Sequence, residues 1–189
     1  MTHTIKRITL GIMAAAIAFS SCKKSNGGEG NDEELITTVK LTFTPTSGTG
    51  TPVTFSFKDA DGNGGNPPTQ DIIQLAANTS YNVAIQLLNE SIAPAEDITP
   101  EIVEEAEAHR FYYTPSAGSL LTVNNLNTDA NGVPVGLTST WAAGAVSSGT
   151  IGVTLRHYPG TPPDKQTSDP VNSPKSGTDV VVTFSYNIL

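Results

Sequence analysis

Apolar and polar side chains take turns along much of this chain. Val39, Leu41 and Phe43 alternate with Lys40, Thr42 and Thr44, and Val53, Phe55 and Phe57 alternate with Thr54, Ser56 and Lys58. Tyr81, Val83, Ile85 and Leu87 repeat the pattern, as do Ile151, Val153 and Leu155. The clearest run is the last, in which Val180, Val182, Phe184, Tyr186 and Ile188 oppose Val181, Thr183, Ser185 and Asn187. A period of two belongs to a strand that buries one face. Weaker runs at Ile72 to Leu75, Leu120 to Asn124 and Val135 to Trp141 bring the count to about eight strands. Clusters of Gly, Pro, Asn and Asp separate them, so the pattern predicts a mainly β fold, an antiparallel immunoglobulin-like sandwich of two sheets.

One segment breaks the alternation. Asp97-Ile-Thr-Pro-Glu-Ile-Val-Glu-Glu-Ala-Glu-Ala-His109 reads as a short inserted helix, with Thr99 as N-cap and Pro100 at the first helical position. Glu101 and Glu104 suit the positive end of the helix dipole; His109 and Arg110 suit the negative end. Ile102, Val103 and Ala106 are expected to face the sandwich. Phe111 to Tyr113 then returns the chain to extended structure, which puts the helix between two strands and across an end or an edge of the sheets. Asn78-Thr-Ser-Tyr-Asn-Val reads like the entry to a strand in immunoglobulin-like domains, although no cysteine pair accompanies it.

The N-terminus changes where this domain is expected to be found. Lys6 and Arg7 precede an apolar run from Ile8 to Phe19, too short for an ordinary membrane span and of the proportions of a secretory signal. Phe19-Ser-Ser-Cys22 resembles a bacterial lipobox, with Phe19 where Leu is usual. Cleavage there would leave Cys22 first, carrying lipid such as palmitate on its sulfur and amine. Cys22 is the single cysteine of the chain, so no internal disulfide can form. The expected organisation is a signal peptide at 1–21, a lipidated flexible tether at 22–34 (Cys22 followed by KKSNGGEGNDEE) and a β-sandwich at 35–189. The expected location is the outer membrane, lipid-anchored, on its periplasmic or its cell-surface side. Of the 10 lysines and arginines, Lys6 and Arg7 leave with the signal, so eight face 18 Asp and Glu, a formal charge of −10. That field repels phosphate, which argues against nucleic acid, and it leaves the acyl anchor as the means of holding a membrane.

Two stretches carry candidate binding chemistry. Lys58-Asp-Ala-Asp-Gly-Asn-Gly-Gly-Asn-Pro-Pro68 offers Asp59, Asp61 and Asn63 at positions 1, 3 and 5 of a calcium loop, with Gly64 at 6. Position 12 is Gln70 rather than Glu, so Asp71 or a backbone carbonyl would have to complete the shell. The other reading is a glycine-rich turn whose Asp and Asn accept backbone hydrogen bonds. The second stretch is built on histidine. Glu101, Glu105 and His109 recur every four residues and would share one helix face. His157 continues the inward face of Ile151, Val153 and Leu155. A helix packed over that end of the sandwich would bring His109 and His157 together, as ligands for zinc or copper. No Gly-x-Ser-x-Gly elbow, phosphate loop or His-Glu-x-x-His occurs, so no enzyme activity is expected. Phe111 to Tyr113, Trp141 and Tyr158 are aromatic enough to line a ligand surface or to fill the core.

The runs FTPTSGTGTPVTFSFKDADGNGGNPP, LAANTSYNVAIQLLNES and EIVEEAEAHRFYY together resemble a family of small Bacteroidota lipoproteins, over most of the mature chain. Its members are often labelled type 1 periplasmic-binding-fold proteins and are found beside TonB-dependent outer-membrane receptors. That label carries a two-lobed α/β fold, whereas the periodicity here is that of strands. The resemblance implies an accessory role near an outer-membrane receptor, with His109 in EAEAHRFYY as its key residue. Two functions follow as expectations: a non-enzymatic binding module that captures a metal ion or metal complex for that receptor, or a structural or adhesive envelope module that presents loops to a protein or glycan partner.

Overall fold

The computed structural model describes residues 35–61 and 65–189. The signal, Cys22 and the tether expected at 22–34 lie outside the described residues, as does Asn63.

Alternation becomes burial almost position by position. In β1 (Thr38–Pro45) Val39, Leu41 and Phe43 are buried, and in β5 (Thr79–Asn89) so are Tyr81, Val83, Ile85 and Leu87. β1 lies between β5 and β2 (Val53–Lys58), antiparallel to both, with Leu41 opposite Ile85 on one side and Phe55 on the other. The two-residue β3 (Thr69–Gln70) extends β2, and β6 (Glu96–Asp97) pairs with the end of β5. β9 (Thr138–Ala143) and β8 (Leu121–Asn124) complete this first sheet, in the order β3-β2-β1-β5-β9-β8. The second sheet runs β4 (Ile73–Leu75), β11 (Gly177–Ile188), β10 (Ser147–His157), β7 (His109–Pro115). β4 pairs parallel with β11, the exception to an otherwise antiparallel pattern.

One hydrophobic cluster draws on both sheets, so the fold is a two-sheet sandwich with a single core. Trp141 is fully buried and meets Phe43 edge-on at 5.1 Å and Tyr113 at 5.5 Å. Burying each large side chain of this kind contributes about 1.5–3 kcal/mol. Phe57 meets Phe184 across the gap between the sheets, centroids 6.5 Å apart. Val53, expected inside, is 51% exposed at the start of β2, near the sheet edge. Gly136 turns the chain toward β9 at φ 88°, where a Cβ would press on Phe111 at 3.0 Å; its carbonyl accepts the Tyr113 hydroxyl at 2.7 Å.

The inserted helix is shorter than its sequence suggests. α1 (Thr99–Glu104) is six residues long, follows β6 and precedes β7, so it carries the chain from the first sheet to the second. Ile98, not Thr99, occupies the N-cap position. The Thr99 hydroxyl is taken by the end of β5, where it accepts from the Leu87 N–H at 2.9 Å. Ile102 is fully buried and Ala106 packs against the core, whereas Val103 is 56% exposed. With only one turn and a half of helix, a single face reaches the interior.

Candidate metal centre

The helix ends because the second sheet claims the residues that would continue it. Glu105 caps α1 by donating its N–H to the Glu101 carbonyl at 2.9 Å, and Ala108 N–H closes a turn onto the Glu105 carbonyl at 2.8 Å. The Tyr158 N–H then captures the Ala108 carbonyl at 2.7 Å, and His109 enters β7 opposite His157, the last residue of β10. The histidines are therefore a cross-strand pair at one end of the sheet, each on the inward face of its strand, two residues from Phe111 and Leu155 respectively. Their rings stack at 4.5 Å between centroids, inclined by 29°.

Glu105 completes the group from above. Its Oε2 lies 3.8 Å from His109 Nδ1, and one donor atom from each of Glu105, His109 and His157 falls within 4.8 Å of the others. Bonds of about 2 Å to one tetrahedral ion separate donors by about 3.3 Å, so a modest inward swing of Glu105 closes the shell. That side chain is 51% exposed and free to make the swing. Among the described residues this is the one group of three or more His, Cys, Asp or Glu placed to share an ion. Glu101 is not part of it. The continuous helix that would have put Glu101 on a common face with His109 stops at Glu104, and the Glu101 side chain stays exposed.

The His109 ring is 1% exposed. Burial, followed by the neighbouring His157, brings its pKa down to about 4, so the imidazole is neutral at pH 7, the form that ligates metals. The ring holds one proton, yet oxygen acceptors stand at both nitrogens. The Glu105 carbonyl lies 3.2 Å from Nδ1, while Nε2 makes no hydrogen bond and has Asp179 Oδ2 at 3.7 Å. Both Asp179 and His109 side chains are 1% exposed. The ring hydrogen bond within reach is Nδ1–H to the Glu105 carbonyl, so a cation held between Glu105 and His157 would require that proton to sit on Nε2 instead, on the side of Asp179.

A second buried pair holds this end of the sandwich in place. Lys165 Nζ lies 2.9 Å from Asp129 Oδ2, both side chains 1% exposed, and donates to the carbonyls of Ala106 at 2.6 Å and His109 at 2.9 Å. Burial lowers the Lys165 pKa against the opposing pull of Asp129. The lysine thus ties the turn bearing Glu105 to two loops distant in sequence. Arg110 adds a strap, donating to the carbonyls of Gln166 at 2.8 Å and Thr167 at 3.1 Å.

Above the histidines lies a cleft of about 720 Å³, lined by Glu105, His157 and Tyr158 together with Glu104, Glu107 and Leu137. Of the aromatic residues, Tyr158 borders this cleft but is fully buried, its hydroxyl 2.8 Å from that of Tyr112, and Phe111 and Trp141 belong to the core.

The aspartate-rich loop has another geometry. Asp61 accepts the backbone N–H of Asn66 at 2.9 Å and its side-chain amide at 2.6 Å, bonds that hold its carboxyl below the usual range. Asp71 Oδ2 accepts the Ser56 N–H at 2.8 Å beside β2. Asp59 donates its own N–H to the Thr37 carbonyl at 2.8 Å, and Asn63 lies outside the described residues. Among the described residues Asp59, Asp61 and Asp71 are not gathered into one group.

Sequence reasoning named His109, His157 and Glu105 but not Asp179, Lys165 or Asp129. Asp179 was hidden by a β-bulge. Leu155 pairs with Val180 but Arg156 pairs with Thr178, so Asp179 is the extra residue, and the bulge turns it inward where strict alternation places it outside. Lys165 had no local signal, because its partners come from residues 36 and more positions away. No protein-family model, curated protein or solved structure matches the chain.

Proposed function

We propose that this chain is a cell-envelope lipoprotein that captures a transition-metal ion, zinc or copper, through His109, His157 and Glu105, and serves an outer-membrane receptor as a non-enzymatic binding module. The observation that carries the reading is the buried His109 ring, neutral and flanked by acceptors at both nitrogens, stacked on a second imidazole beside an exposed carboxylate. Two imidazoles and one carboxylate form a borderline-soft set that suits zinc or copper rather than calcium or magnesium. The envelope address rests on the basic and apolar N-terminus and Cys22. The receptor rests on the resemblance to small Bacteroidota lipoproteins carried by EIVEEAEAHRFYY.

Metal analysis of the purified protein tests the reading, with His109→Ala and His157→Ala as controls. About one equivalent of zinc or copper in the wild type, lost in both variants, supports capture. A metal-free wild type whose melting temperature ignores added zinc and copper overturns it and favours the adhesive module. A separate calcium titration decides the Asp59 loop, where an unmoved melting temperature leaves the turn reading standing.

A further inference from the structure

Three protein donors leave a fourth position on a tetrahedral ion, and the surroundings of this site say what should fill it. His109 stands behind, 1% exposed, while Glu105 and His157 also line the cleft, so the remaining position opens toward the cleft rather than the core. A volume of about 720 Å³ is far more than a water needs and falls in the range of small-molecule sites, about 300–1,000 Å³.

Its walls are chemically one-sided. Glu104 and Glu107 are acidic, Val103 and Pro159 give apolar contact, and no lysine or arginine is among the residues lining it. The nearby cation, Lys165, is turned inward onto Asp129 and the backbone of the helix turn. An anionic chelator such as a polycarboxylate would bring its charge against these glutamates with no cation to receive it.

Resting on the metal-capture reading, we infer that the ion is bound together with a small neutral or cationic organic molecule that supplies a nitrogen donor to the fourth position and fills the cleft. Glu104 and Glu107 face its positive end, and Val103 and Pro159 its carbon skeleton. The cargo is then a metal–amine or metal–imidazole complex rather than a hydrated ion.

Cobalt(II), a visible-absorbing stand-in for zinc, separates this inference from the reading beneath it. Adding cobalt to the full protein should produce the intense bands of a four-coordinate site. Imidazole and histamine should then shift those bands saturably, histamine binding the tighter, while citrate should leave them unmoved. Glu104→Gln/Glu107→Gln should keep the cobalt bands and bind histamine several-fold more weakly. Cobalt bands that ignore both nitrogen donors, or that respond equally to citrate, overturn the inference and leave metal capture intact. The absence of any cobalt bands overturns both.

Discussion

His109 is the residue on which the site turns, and its burial has a consequence for stability. The unfolded chain takes up a proton on this imidazole near pH 6.5, whereas the folded chain does so only at about 4. Between those values the unfolded state binds more protons, so stability that is full above pH 6.5 falls as pH drops and levels off below about 4. Each unit of that window is worth up to about 1.4 kcal/mol. In urea denaturation of the metal-free protein, the wild type should lose about 2 kcal/mol more than His109→Gln between pH 7 and pH 5. Equal losses in the two proteins would show that the ring is not held neutral by its surroundings. The same residue shows how much of the site was legible. The types and spacing of Glu105, His109 and His157 are visible in one dimension, but not the placement of Asp179, which a register shift re-aims to 3.7 Å from Nε2.

Among the elements, strands were far more legible than the helix. Strands whose one face is buried announce themselves by alternation, and β1, β5, β10 and β11 bury the residues the pattern chose, save Val180 beside the bulge of β11, which is only partly buried. β3 and β6, two residues each, are too short to carry a period. The helix was overextended because four glutamates and alanines favour helix locally, whereas the pairing of His109 with His157 and the capture of the Ala108 carbonyl by Tyr158 win in the fold. What holds the resulting turn is Lys165. Replacing it by Met should destabilise the protein by about 3–5 kcal/mol, since Asp129 is left buried without its partner. Lys165→Met/Asp129→Asn should recover part of that loss, because the amide strands no charge and keeps an acceptor for the Asn131 and Val133 N–H groups, while the Ala106 and His109 carbonyls stay without the ammonium. Chemical denaturation checks both, and a double variant as unstable as the single would contradict the buried-pair account.

At the scale of the whole molecule, the sandwich was readable because two sheets sharing one core is what short alternating strands build. The end-on cleft was not, since it is made by segments around residues 104, 129 and 158 that only the topology brings together. The proposed envelope role adds the N-terminus to this body. Expressed in a bacterial host, the protein should incorporate labelled palmitate and fractionate with membranes, and Cys22→Ser should abolish both; labelling that survives the substitution would exclude the lipobox. The most direct test of the account as a whole is zinc-edge X-ray absorption of the zinc-loaded protein. The account predicts two imidazole nitrogens and a carboxylate oxygen at about 2.0–2.2 Å, and a His109→Ala protein that retains no stoichiometric zinc and gives no such two-imidazole shell when zinc is added in excess. An all-oxygen shell, or a shell unchanged by that substitution, would contradict it.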